Sequence, residues 1–317
     1  MSNFGSLLTI FLVISLGIIC YKKEVFHKSH IDGLELFLFK VALPIYLFVA
    51  TYKADLVNLL ELHYISAYLL TWLILAIITG IFYIKKMQLK AVLIRMLAAS
   101  YVNAAIYTLP IVSILLGNPI SAIIGNILQV VVIQPIFIIL LNLTQNHDRS
   151  LTKRILNIVT TPLIISPILG LILNNLQLNL PLPLIDAASK IGDCASGIAL
   201  FTFGLTLGST KITRDCLKFD LLSVVFAKNI LHPTVAFCII NFMKLESYWA
   251  NSLIIASAAP TAFVVYIISK QFAINTELVK KSIALSSVLS TIQLIFIIGF
   301  WFFFGYSFDR NTIFFVI

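Results

Sequence analysis

The chain has 317 residues, 60% of them hydrophobic and 11% charged, with a formal net charge of +9 and a mean hydropathy of +1.03. Soluble domains are roughly 45–50% apolar and about 25% charged, so the composition excludes a soluble globular protein and identifies a polytopic membrane protein. The positive charge does not point to a nucleic-acid partner, because the basic residues are spread through short loops between apolar runs.

A hydrocarbon core about 30 Å thick takes roughly 20 helical residues. That rule predicts ten spans, near residues 4–21, 34–52, 63–84, 91–116, 120–142, 154–175, 185–208, 218–242, 248–270 and 280–304. The runs are continuous and lack the alternation of barrel strands, so the expected class is all-α. One transmembrane domain over 1–317 is expected, since no loop is long enough to hold a second. The first span runs from an uncharged start into Lys22 and Lys23, the reverse of a signal peptide's order. In the loop that follows, His27 and His30 have the spacing of a metal pair but lack two further ligands, so no metal site is expected. The cysteines Cys20, Cys194, Cys216 and Cys238 form no CxxC pair and read as small hydrophobes.

Basic residues gather in alternate loops: Lys22, Lys23 and Lys28; Lys85, Lys86, Lys90 and Arg95; Arg149, Lys153 and Arg154; Lys211, Arg214 and Lys218; Lys270, Lys280 and Lys281. The opposite side has only Lys53, Lys190, Lys244 and Arg310. Lys/Arg-rich loops stay in the cytoplasm, so both termini are expected outside.

The fourth span contains "SYVNAAIYTLPIVSILLG", residues 100–117, with an amide at Asn103 and a helix breaker at Pro110. At a shift of about 150 residues the halves resemble each other. Lys40 aligns with Lys190, and Pro110 with Pro260 in "ASAAPTAFVVYIISKQF". Five spans is an odd number, so two such units in tandem enter the membrane from opposite sides. The expectation is a 5+5 inverted repeat, 1–145 and 146–317, with broken helices four and nine. Freed backbone groups at membrane depth are tolerated only in protein or against a wet cavity, and paired broken helices point to a transport site. Half-helix N-termini facing that site suit an anion.

Residues 100–112, "SYVNAAIYTLPIV", resemble the fourth span of the auxin efflux carrier family, and residues 257–270, "SAAPTAFVVYIISK", its ninth. "FKVALPIYLF" (39–48) resembles the second span and "SGIALFTFGLTLG" (196–208) the end of the seventh. The resemblance covers nearly the whole chain. It implies the inverted-repeat fold shared with bile-acid-type transporters, with helices four and nine crossing at their breaks, and a carrier of small organic anions. The short loops are most similar to the bacterial, malate-permease-like branch, which places the chain in a bacterial inner membrane and makes a homodimer plausible. Asn103, Pro110 and Pro260 carry over as site-forming residues. Thr108 stands where the family usually has glycine, and Phe263 where many relatives have an amide, three residues past the proline. Thr108 and Thr261, flanking the two breaks, complete the expected substrate-binding set.

Intramembrane charges are functional by default. Lys228, in "VVFAKNILHPTVAF", is read in two ways: it attracts a carboxylate, or it snorkels to the headgroups. Asp193 is the candidate for coupling to H+ or Na+, or pairs with Lys190 on one helix face. Gln129, Gln134 and Gln293 read as bridges between helices. No G-x-S-x-G, Walker-type GK[ST] or H-E-x-x-H motif occurs. The expected function is therefore secondary transport of a small organic anion by alternating access, with no cofactor and no enzymatic activity. A sensor or passive channel on the same fold, and a membrane-embedded enzyme, are the alternatives.

Overall fold

In the computed structural model, residues 3–53, 61–144, 161–209 and 218–303 are described. Cys216, the basic residues Arg149, Lys153, Arg154, Lys211, Arg214 and Arg310, and the first residues of the sixth predicted span lie outside them. Among the described residues, regular structure is helical apart from one isolated antiparallel bridge, Val102 to Thr261.

In chain order the helices are α1 (Asn3–Lys22), α2 (Lys28–Tyr52), α3 (Leu62–Ile84), α4 (Leu89–Ser100), α5 (Ala104–Leu116) and α6 (Ile120–Leu143). They continue with α7 (Pro162–Asn175), α8 (Leu182–Ser209), α9 (Phe219–Met243), α10 (Ser247–Ala258), α11 (Phe263–Gln271) and α12 (Thr276–Phe303). Six apolar stretches among the described residues are long enough to cross a membrane: α2, α3, α6, α8, α9 and Thr276–Ile297 of α12. The spans expected at 91–116 and 248–270 are each divided between two helices: α4 and α5, and α10 and α11.

Prolines shape the helices by a repeated device. Four π-helical turns occur in them: Leu38–Ala42, Gln129–Ile133 and Ala227–Leu231 lie inside helices, and Ala104–Thr108 opens α5. Each ends two residues before a proline: Pro44, Pro110, Pro135 and Pro233. Proline has no N–H, and its ring clashes with the carbonyl four residues back. Widening the preceding turn relieves that clash, and the residue just before the proline then donates five residues back. Leu43 bonds Leu38 in this way, and His232 bonds Ala227.

The chain divides into two compact units. One gathers α1, α2, α5, the first half of α6, α7 and α8. Within it α1 and α8 cross at glycines, since a Cβ at Gly17 would meet the carbonyl of Phe201 and one at Gly204 the carbonyl of Ile14. Small residues let membrane helices approach closely enough for backbone contact. Asn174 Nδ2 of α7 donates to the carbonyl of Thr51 in α2 at 3.1 Å, and the Tyr46 hydroxyl of α2 shares a 2.9 Å hydrogen bond with Ser113 of α5.

The other unit gathers α3, α4, the second half of α6, and α9 to α12. Its core includes Leu75, Ile94, Leu97, Val224, Leu253 and Val265, all buried. Arg95 of α4 grips Asp220 at the start of α9 with two bonds, Nε to Oδ1 at 2.9 Å and Nη2 to Oδ2 at 2.5 Å. Such a fork-to-fork pair fixes geometry as well as adding energy. Asn229 Nδ2 of α9 donates to Ser290 Oγ at 3.0 Å and Gln293 Oε1 at 2.9 Å on α12. Gln134 accepts from the Tyr101 hydroxyl at 3.1 Å. Gln293 and Gln134 thus bridge helices, as amides in membrane spans do.

Candidate functional site

The second unit contains a crossing of two interrupted helices. Helix α4 stops at Ser100 and α10 at Ala258, and the residues that follow are extended: Tyr101 has φ −87°, ψ 117° and Ala259 φ −64°, ψ 150°. The stretches Tyr101–Asn103 and Ala259–Ala262 run antiparallel. The Asn103 N–H donates to the Pro260 carbonyl at 2.8 Å, and the Ala262 N–H to the Tyr101 carbonyl at 3.2 Å. Backbone groups that each helix gives up are therefore satisfied by the other break, the condition for irregular backbone at membrane depth. Ala98, Ala99, Ser100, Ala256, Ser257, Ala258 and Ala259 are all buried here, and their small side chains permit the close approach.

Thr261 braces the crossing. Its hydroxyl donates to the Ala98 carbonyl at 2.7 Å, and its N–H donates to Ser286 Oγ of α12 at 3.1 Å. Asn103 is partly buried, at the end of the first extended stretch. Asn103, Pro260 and Thr261 are thus brought together. Pro110 does not lie in a break. It sits in the first helical turn after the π turn Ala104–Thr108, so the interruption falls seven residues upstream of the proline expected to cause it. Thr108 and Pro110 are both buried, in the first unit.

Lys228 projects from the π turn of α9 and is wholly buried, at 0% exposure. It does not snorkel. Its ammonium nitrogen lies 2.8 Å from Nδ1 of His232, one turn along, and 3.2 Å from the Ser257 carbonyl in the last turn of α10. Carbonyls there have no intrahelical donor and form the negative end of the helix dipole. Among the described residues no carboxylate pairs with Lys228. Asp193 instead lies exposed on α8 in the first unit, as does Lys190, and no ion pair joins them.

Beside this cluster is a cavity just large enough for one water molecule. Tyr68 and Trp72 of α3, Ser100 and Val102 at the first break, His232 and Ser257 line it. Trp72 Nε1 is buried and makes no hydrogen bond. Sequence reasoning stopped at Lys228 and missed His232 and Trp72. The one available signal was the four-residue spacing of Lys228 and His232, which stacks them on one helix face.

The arrangement is donor-rich and holds a lysine amine with no carboxylate partner among the described residues, so it suits an anion. A family model described as membrane transport protein matches residues 3–298. The chain is 26% identical over 298 residues to "Uncharacterized transporter YfdV" of Escherichia coli strain K12, covering 89% of this chain and 92% of that protein. The Shigella flexneri protein of the same name matches equally. Over 130 residues the chain is also 26% identical to a "Putative malonate transporter" of Rhizobium meliloti strain 1021, covering 41% of this chain and 40% of that one.

Proposed function

Since the chain belongs to the membrane transport protein family, the auxin efflux carriers that its motifs resemble, we propose that this multi-pass membrane transporter is a secondary carrier of small organic anions working by alternating access. The observation that carries the anion reading is Lys228, a buried amine able to carry a positive charge and without a carboxylate partner among the described residues, one hydrogen bond away from the crossing of two interrupted helices. Burying a lone charge is costly, and an anionic substrate would supply the missing counter-charge. Similarity to a protein named for malonate favours a small dicarboxylate as the first ligand to try.

In this reading the ten spans form the 5+5 inverted repeat, 1–145 and 146–317, with both termini outside a bacterial inner membrane. The anion docks near the midplane, where Asn103 donates to a carboxylate and the N-terminus of α11 adds partial positive charge. Pro260 and Thr261 hold the backbone open for it, and Thr108 and Pro110 are the candidates on the stretch of chain after Asn103. H+ or Na+ drives the cycle, with Asp193 as the acidic candidate for coupling, and the carrier works as a homodimer.

Uptake and counterflow of radiolabelled malonate, malate and other small carboxylates in proteoliposomes test this. Gradient-dependent uptake of one acid is expected, and Asn103→Ala should abolish its binding while leaving membrane insertion intact. Absence of any organic-anion flux would refute the carrier reading, and normal binding by Asn103→Ala would remove that residue from the site.

A further inference from the structure

We infer that Lys228 and His232 form one proton-carrying site, and that the proton taken up there travels with the anion. This rests on the carrier reading above and deepens it. The Lys228 nitrogen and His232 Nδ1 lie 2.8 Å apart. Only one proton fits between two nitrogens at that separation: the lysine donates to a bare Nδ1, or Nδ1–H donates to a neutral amine. The pair therefore holds at most one positive charge.

The pair borders a space that one water can occupy. Nδ1 is taken, and Nε2 of His232 has no hydrogen-bond partner among the described residues. His232 lines the water-sized cavity together with Trp72, whose indole N–H is unpartnered, and Tyr68, whose hydroxyl makes no hydrogen bond among the described residues. These three groups give a water the usual number of contacts for a buried site. A proton arriving on that water adds to the Nε2 lone pair, and the Nδ1 proton passes to the Lys228 amine. The pair goes from neutral to singly charged, and a neutral water remains. Release is the same sequence reversed, with no electrons exchanged.

The surroundings leave the counter-charge to the substrate. Four helices pack against the π turn that holds Lys228: α3, α4, α10 and α12. Tyr68 is the titratable group that α3 turns to the cavity. The one charge on the buried part of α4, Arg95, is spent on Asp220 at the start of α9. Helix α10 contributes the Ser257 carbonyl, and α12 offers Ser286, Ser290 and Gln293, bound to Asn229. Of the charged residues of α12, all in its first turns, Glu277 and Lys280 are exposed and Lys281 is partly buried. A single positive charge in such a place attracts an anion strongly, whereas the neutral pair does not. Anion and proton binding then favour each other reciprocally.

The test uses the whole protein with malonate as probe. Wild type in proteoliposomes, voltage-clamped with potassium and valinomycin and loaded with a pH dye, should move about one proton inward per malonate. His232→Asn keeps an acceptor for Lys228 but carries no proton. In it, malonate-linked proton uptake should fall at least tenfold and malonate affinity should lose its dependence on pH. A second measurement needs no variant: wild type in unbuffered detergent should take up about one proton on binding malonate, and its affinity should fall about tenfold per pH unit above the titration of the free pair. Malonate uptake without proton movement, or unchanged stoichiometry in His232→Asn, would overturn the inference and leave the carrier intact. No exchange of any small carboxylate by wild type would instead overturn the carrier reading, and this inference with it.

Discussion

Replacing Thr261 by valine removes one hydroxyl and almost no volume, and so isolates the brace at the helix crossing. The hydroxyl bonds the Ala98 carbonyl at 2.7 Å, in the last turn of a helix that ends at Ser100. In a continuous helix the amide of residue 102 would serve that carbonyl; here the chain turns extended first. Ala98 is 0% exposed, so water cannot replace the donor. An orphaned buried acceptor costs roughly 1–3 kcal/mol, while hydrogen bonds between membrane helices average about 0.6 kcal/mol because the disassembled state finds other partners. The carbonyl's fixed position at a helix end favours the upper part of that overlap, and about 1–2 kcal/mol is expected. Unfolding in mixed detergent and SDS micelles, followed by tryptophan fluorescence, measures the difference, with Thr261→Ser retaining most of the stability. A Thr261→Val protein within about 0.3 kcal/mol of wild type, or a serine variant as unstable as the valine one, would refute the brace.

Gly204→Leu should prevent α1 and α8 from meeting and cut the yield of monodisperse protein, whereas Gly197→Ala, with open space around it, should be neutral; size-exclusion profiles of the two variants decide. Asp220→Asn leaves the Arg95 guanidinium, 5% exposed, without its counter-charge, and should cost about 2–3 kcal/mol in the same unfolding assay. Pro233→Ala restores the missing N–H and should let the preceding turn relax to α geometry. Lys228 would then swing away from Ser257, and malonate-linked proton uptake should drop as in His232→Asn. Unchanged proton uptake would separate the proline from the position of the lysine.

Much of the architecture was legible because lipid imposes so strict a code. Helices of membrane length stand out as apolar runs, and α2, α3, α6, α8, α9 and α12 lie within a few residues of their expected bounds. Pro260 marked one break correctly, because proline in an apolar run is a local signal. The other break, at Tyr101–Asn103, contains neither glycine nor proline. Nothing local ends α4 there; the pairing partner, Ala259–Ala262, arrives from more than 150 residues along the chain, and tertiary hydrogen bonds override propensity. The same reasoning misread Pro110, which the π turn before it accommodates inside a helix. Lys228 was noticed as a charge, but its hydrogen bonds to His232 and Ser257 depend on the π turn that carries it, which no periodicity of 3.6 anticipates. The Asp193–Lys190 pairing is absent for the opposite reason: spacing allows it, but both side chains point outward on α8 without meeting.

The π turns before Pro44, Pro110, Pro135 and Pro233 have a mechanical consequence. Each winds one residue more than an α turn would, so each helix stores a single residue of slack beside its proline. Taking up that slack would advance one half of the helix by about 1.5 Å and rotate it by about 100° relative to the other. In α9 the slack sits at Lys228 itself. There Pro233 holds the turn wide, and the extra residue sets the direction in which the buried lysine leaves the helix while the other turns stay wound.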